Sequence, residues 1–314
     1  MSHKIAAAIL AVTLIGAPSI IVAETSTIYR GMCDASAAVP LDQEHFIVAD
    51  DEHNTLQIYR RGRPDPVSAV PLSDFLDTDE DKESDLEGAA AVGSRIYWIS
   101  SHGTNKNGKV QDRRRRLFAT DIVSGSPPTV TPVGRAYNML VDDLSTHPAL
   151  SKYKLAKAAT LPPKSPGGLS IEGLASTADG RLLIGFRNPV PNGKALIVPL
   201  LNPDAVVRGV RASLGAPIEV DLKGQGIRSV ERDGDSYLII AGGIDGGGLS
   251  KLYRWSGREA DDPKPVEGVG FSGFNPEALF LVPDRPELQI LSDDGKVDGD
   301  KCSEKAFRSM TVLK

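Results

Sequence analysis

The sequence predicts an all-β protein, a β-propeller of five four-stranded blades. Three observations predict it. A layout of strands recurs five times at a spacing near fifty residues. An interval inside each repeat stays almost constant. The last repeat runs out of chain one strand short, while a spare strand stands just before the first. Six blades are the alternative, with a degenerate unit at residues 135–168.

Each repeat opens on a short strand led by polar residues: Asp34-Ala35-Ser36, Asp85-Leu86-Glu87, Ser170-Ile171-Glu172, Gly226-Ile227-Arg228 and Asn275-Pro276-Glu277. A stronger apolar strand follows, HFIVADD from His45, RIYWISSH from Arg95, RLLIGFRN from Arg181, SYLIIAGG from Ser236 and ELQILSDD from Glu287. From the third opening residue to the polar end of that strand the separation is 14 residues in three repeats, 15 in one and 16 in the last. A two-sheet sandwich also has many short strands, but nothing in its architecture imposes a shared register on five openings. Third strands read TLQIYRR, RRLFATDI, KALIVPLL, KLYRWSG and AFRSMTVL. Fourth strands read DPVSAV, PTVTPVG, APIEVDL and PKPVEGVG. The fifth repeat lacks a fourth, and Ser26-Thr27-Ile28-Tyr29 is expected to supply it, closing the ring.

Two segments stand outside the repeat. Residues 72–84 form an acidic loop. Residues 135–168 place Met139, Leu140, Leu144, Leu150 and Leu155 at helical spacing, with a break at Pro148, which predicts a small helical insertion. At the start of the chain, Lys4 precedes an apolar run from Ile5 to Ile15. Gly16 and Pro18 interrupt it well short of the roughly 20 residues of a membrane span, so residues 1–23 are expected to be a signal peptide cleaved after Ala23. The rest, 24–314, is then a single domain in the periplasm or outside the cell, and a monomer. The two cysteines, Cys33 and Cys302, lie near opposite ends of this domain, and ring closure in an oxidising compartment would join them in a disulfide.

In an antiparallel blade the start of strand one and the end of strand two share one end. Ser36, Glu87, Glu172, Arg228 and Glu277 therefore form a ring at the channel mouth, surrounded by His102, Arg187, Asn188 and Asp293 and by Asp50, Asp51, Ser101, Asp245 and Asp294. A glutamate here can simply hold strand-end amides and fasten blades together. A ring with one serine, one arginine and three glutamates is less uniform than a scaffold requires, and this points to a ligand.

Other motifs carry less. Arg113–Arg116 reads as a solvated loop. The glycine run 242–248 lacks the lysine and Ser/Thr of a phosphate loop. Asp77, Asp79 and Asp81 resemble the start of a calcium loop, yet Lys82 takes the glycine position and Gly88 that of the closing glutamate, which excludes an EF-hand and leaves loose calcium binding open. Asp298 and Asp300 stand in the same case. With 36 basic against 41 acidic residues and a charge of −5, there is no basic stripe for nucleic acid.

The stretches HFIVADDEHNTLQIYRR, DLEGAA, RIYWISSHGTNKNGK, SIEGLA, LLIGFRNP, GIRSVER, YLIIAGG and NPEALFLV together resemble the bacterial family catalogued as domain of unknown function 3616, over residues 33–308. That resemblance implies an exported, propeller-like protein and brings no activity with it. The chain is also distantly similar to esterase-like and phytase-like propellers, whose many metal-binding aspartates it does not reproduce.

Two functions compete. In the first, the mouth binds a small polar or anionic ligand, or a partner's loop, through Arg228, Arg187, Asn188 and His102, with Glu87, Glu172 and Glu277 orienting it. In the alternative, those glutamates and Asp293 hold calcium or magnesium and the protein hydrolyses a phosphate or other ester. No nucleophile is recognisable, so no catalytic residue is assigned.

Overall fold

The computed structural model of the protein describes residues 21–50, 53–80, 82–295 and 305–314. The expected leader up to residue 20, Asp51, Asp81, the Asp298–Asp300 pair and Cys302 lie outside the described residues. The first strand, β1 (Ile21–Arg30), begins before the expected cleavage point, but its continuous pairing starts at Thr25. Cleavage after Ala23 would spare that pairing.

Five antiparallel four-stranded sheets follow one another along the chain. The first holds β2 (Ala35–Pro40), β3 (His45–Asp50), β4 (Thr55–Arg60) and β5 (Pro66–Pro71). After the short helix α1 (Ser73–Leu76) come β6 (Leu86–Val92), β7 (Arg95–Ser100), β8 (Leu117–Val123) and β9 (Thr129–Tyr137). The helices α2 (Leu140–Thr146) and α3 (Leu155–Ala158), with a 3-10 turn from Pro148 to Tyr153 between them, make up the expected insertion. The third sheet holds β10 (Ser170–Ser176), β11 (Leu182–Asn188), β12 (Ala195–Leu200) and, after helix α4 (Pro203–Val206), β13 (Ile218–Val220). The fourth holds β14 (Gly226–Asp233), β15 (Ser236–Gly242), β16 (Lys251–Trp255) and the two-residue β17 (Lys264–Pro265). The fifth runs β18 (Pro276–Leu281), β19 (Glu287–Ser292), β20 (Ala306–Leu313) and then β1, so the spare N-terminal strand completes the last blade. Five blades are present, and the insertion is helical.

The first strands of neighbouring blades pack side by side in a closed cycle, β2 on β6, β6 on β10, β10 on β14, β14 on β18 and β18 on β2. They surround the axis. Each blade presses both faces on its neighbours, which is why its second strand is apolar throughout: every residue of β11 is buried, and only the first residue of β3, β7, β15 and β19 is not. By contrast β5, an outermost strand, stays largely exposed. The core divides into five clusters, one for each interface between blades. The insertion fills the wedge between the second and third, where Leu140, Leu144, Leu150 and Leu155 pack on Ile99, Ile184 and Phe186. No helix among the described residues is long and apolar enough to cross a membrane.

Closure requires one correction. A Cys33–Cys302 bond was expected to tie the ends together, but no disulfide joins two described residues. Cys33 is buried and is not a free thiol. What closes the ring among the described residues is the pairing of β1 with β20 from Thr25–Thr311 to Arg30–Ala306. Tyr29 backs it up, packing within 5.3 Å of Phe46, Tyr59 and Phe307.

The far ends of the inner strands, at Val39, Ala91, Ser176 and Glu231, enclose a cavity of about 230 Å³. There burial pushes the Glu231 carboxyl up to about 8, aided by nearby Asp233 and opposed by the Leu281 backbone amide. The unfolded chain ionises this group near its ordinary 4.5. As pH rises between these values the folded state keeps a proton that the unfolded state has released, so stability falls. Glu231→Gln is expected to raise the melting temperature at pH 8 more than at pH 5. Parallel melting curves for the two proteins across that range would show that the carboxyl is not held in its neutral form.

Candidate functional site

The inner strand of every blade carries a β-bulge at the same place. Pairing with the second strand slips between Ala35 and Ala37, Leu86 and Gly88, Ile171 and Gly173, Ile227 and Ser229, and Pro276 and Ala278. The five skipped residues are Ser36, Glu87, Glu172, Arg228 and Glu277, the five ring positions. A bulged residue leaves the ladder and has its side chain re-aimed, so one backbone device, used five times, turns these groups out of the sheet. Glycine is needed beside it: a Cβ on Gly226 would lie 1.9 Å from the Arg187 carbonyl oxygen.

Four of the five are buried and bonded to one another across blades. Glu172 is 4% exposed, Arg228 5% and Glu277 8%. Arg187 Nη1 donates to Glu172 Oε1 at 2.7 Å, and Ser170 donates to the same oxygen at 3.2 Å. Arg228 lies 4.0 Å from Glu172 Oε2 through Nε, pairs with Glu277 through Nη2, and donates through Nη1 to Asn275 Oδ1 at 2.5 Å. Ser36 Oγ donates to Glu277 Oε2 at 3.4 Å. The order Ser36, Glu277, Arg228, Glu172, Arg187 is thus a chain of alternating donors and acceptors through four blades. Burial pulls the Arg187 guanidinium down, yet the Glu172 carboxylate outweighs this and holds it above its ordinary value. Arg228 falls below its ordinary value through burial and the like charge of Arg187.

A cavity of about 340 Å³ lies at this mouth, and Glu87, Glu172, Arg187, Glu277 and Asp293 line it. Glu87 stays half-buried. Asp293 accepts from Asn275 Nδ2 at 3.0 Å and from the Gly295 amide at 2.9 Å. A crevice of about 990 Å³ adjoins it between the fourth and fifth blades. The two spaces share Lys164, Arg187, Glu277 and Asp293, and Arg228 lines the crevice. The glycine-rich connection borders both: Ile244 lines the mouth, and Asp245 with Gly246 and Gly248 lines the crevice.

Two expected ligand residues are placed elsewhere. His102 is fully buried, its Nδ1 is 2.7 Å from the Ser100 carbonyl, and burial pushes its imidazole down to about 4. It lines neither space. Asn188 donates its amide to the Pro163 and Ser165 carbonyls at 2.7 and 2.6 Å. With Thr104, which donates to the Leu161 carbonyl at 2.8 Å, it fastens residues 161–165 of the insertion over the mouth. Neither His102 nor Asn188 lines the mouth or the crevice.

Sequence reasoning missed Lys164, Asp85, Arg114 and Asn275. Lys164 rides on the fastened segment and faces both spaces. Nothing in its local sequence marks it. Asp85 and Asn275 open their repeats, and that position was a usable signal. Asp85 accepts from Ser101 and pairs with Arg114 Nη1 at 3.3 Å. Burial pushes its carboxyl up to about 6 against the Ser101 hydrogen bond, with Glu172 adding to the rise. Arg113–Arg116 is not the solvated loop expected. Arg114 is mostly buried against Glu83 and Asp85, and Arg116 donates to the Leu76 carbonyl at 3.1 Å.

The oxygen set expected for calcium or magnesium does not assemble. Among the described residues no three His, Cys, Asp or Glu side chains are grouped to hold a metal ion. Glu172 and Glu277, half of that set, are turned onto guanidinium groups instead.

Several solved structures are similar to this chain. The glutaminyl cyclase of Myxococcus xanthus is 15% identical, covering 93% of this chain and 99% of its own, with a TM-score of 0.46. The PQQ-bound aldose sugar dehydrogenase of Streptomyces coelicolor is 12% identical, with coverage of 93% and 99% and a TM-score of 0.44. The Cps50 (Swd1) β-propeller domain of Myceliophteria thermophila is 9% identical, with coverage of 93% and 100% and a TM-score of 0.41. Likenesses at this level say nothing of activity. Among curated proteins none matches. The family model described as Protein of unknown function (DUF3616) matches residues 34–121 and 130–268, more than half of the chain, and the protein belongs to that family.

Proposed function

We propose that this protein is an exported binding propeller that holds a small polar ligand at the mouth of its central channel. The observation that supports this reading is the coincidence of five equivalent bulges with a cavity of ligand size, about 340 Å³. Glu87, Glu172, Glu277 and Asp293 would accept hydrogen bonds from the ligand, Arg187 and Lys164 would donate, and Arg228 would hold Glu277 in place from behind. Among the described residues seven carboxylates and four basic groups line this cavity. That balance argues against the anionic ligand expected from the sequence, because each carboxylate repels it. A partner's loop would enter by the same opening.

A thermal-shift screen of small polar molecules against the secreted protein tests the proposal. A hit is expected to raise the melting temperature of the wild type, to lose at least tenfold in affinity in Glu87→Gln and Asp293→Asn, and to bind equally with EDTA present. Unchanged affinity in both variants would place binding away from the mouth. Loss of binding to EDTA would restore the metal-dependent reading.

A further inference from the structure

Resting on that reading, we propose that the mouth cavity and the crevice beside it form one continuous groove for a neutral, polyhydroxylated chain, an oligosaccharide more than one ring long. Three features of the groove lead there.

The first is continuity. Lys164, Arg187, Glu277 and Asp293 line both spaces, so a ligand held at the ring and long enough to pass these four side chains would enter the crevice. At about 990 Å³ the crevice is at the upper end of small-molecule sites, far more room than a single small ring next to the mouth would use.

The second is the state of the charges. The wall is built from carboxylates and guanidiniums that are already partnered: Glu172 with Arg187, Glu277 with Arg228, Asp85 with Arg114, and Asp294 with Arg308, whose Nη2 donates at 2.6 Å. Along the crevice four carboxylates face four basic groups, so beyond the acidic mouth the wall offers directional donors and acceptors rather than a net field. A hydroxyl both donates and accepts, so a run of hydroxyls can satisfy both partners of each pair. A polycation in the groove would meet Arg187 and Arg228, and a polyanion would meet the carboxylates. Either would meet like charge beside the buried pairs, and gaining Glu172, Glu277, Arg187 or Arg228 as a partner would mean breaking a buried pair, which is costly.

The third is the crevice's outer part. Phe271 and Phe274 line it, their rings stacked 6.3 Å apart, and Arg308 lies 5.4 Å from the Phe274 ring. Gly246, Gly248 and Gly273 leave the neighbouring wall without side chains. The partly exposed Phe274 ring, backed by the buried Phe271, stands beside open backbone and suits a ligand that has C–H faces between its polar edges.

Isothermal titration of the secreted protein decides the matter, with cellotetraose, maltotetraose, xylotetraose and chitotetraose as neutral probes, their monosaccharides as short controls, and trigalacturonate and spermidine as charged ones. A neutral tetrasaccharide is expected to bind at least tenfold more tightly than its monosaccharide. Phe274→Ala, or Phe274→Leu should the alanine variant misfold, is expected to abolish that advantage and leave monosaccharide affinity alone. Glu87→Gln is expected to weaken both. Equal affinity for tetrasaccharide and monosaccharide, or a tetrasaccharide indifferent to both Phe274 and Glu87, would overturn the groove. Binding of only spermidine or trigalacturonate, sensitive to Glu87→Gln, would overturn the oligosaccharide and leave the mouth as a site. Silence of the whole panel would also overturn the oligosaccharide, and the broader screen would then judge the mouth by itself.

Discussion

Replacing Arg228 with methionine is expected to cost about 3–5 kcal/mol of folding stability, the loss typical of removing one member of a buried ion pair. Among the described residues the substitution leaves Glu277 with the Ser36 hydroxyl and Glu172 with Arg187 and Ser170. It also leaves Asn275 Oδ1 without its donor. The cost comes from carboxylate charge left largely buried without its partner, not from lost packing, since methionine fills much of the same volume. Removing that charge should therefore repair part of the damage. Arg228→Met with Glu277→Gln is expected to be more stable than Arg228→Met alone, measured by urea unfolding at neutral pH. If the double variant is the less stable, the guanidinium is working through packing and the pairing argument fails.

Tyr29→Ala is expected to be as severe, about 3–5 kcal/mol, the range for truncating a large buried aromatic side chain. Tyr29 is 1% exposed and sits where the N-terminal strand joins the last blade to the first. Its ring packs on Phe46, Tyr59 and Phe307, and its hydroxyl accepts the Gly62 amide at 3.0 Å. Tyr29→Phe keeps the ring and drops the hydroxyl, so it is expected to cost only about 1 kcal/mol. The comparison separates aromatic packing from hydrogen bonding at the closure. An alanine variant that unfolds at the wild-type urea concentration would mean that the ring is held shut elsewhere.

Much of the architecture was legible because a blade is a local object. Apolar strands, turns and strand order all act within about fifty residues, so five copies of the pattern stand out in the sequence, and the unpaired fifth repeat points to residues 26–29. The charged ring was legible for the same reason, through an interval repeated within each blade. His102 and Asn188 misled because strand-end position says which end of the blade a residue occupies, not which side of the strand its side chain takes. Asn188 faces the fastened segment at Pro163 and Ser165, a segment that arrives from a helical insertion with no counterpart in the other repeats. Arg114 misled differently. A run of four arginines reads as hydrophilic, yet long side chains can be drawn inward when carboxylates such as Glu83 and Asp85 wait there.

By itself the sequence determined the five strand repeats, the strand that completes the last one, and the five positions that surround the axis, since each follows from periodicities that hold within one blade, while the helices of residues 140–158 removed the sixth blade. Only the tertiary structure decided which charge meets which. Glu172 had several arginines of equal local chemistry to choose from, and it took Arg187 in its own blade and Arg228 in the next. That choice depends on how five bulges are oriented once the ring has closed. It is settled by distances of a few ångströms between residues far apart in the chain, which no local spacing encodes.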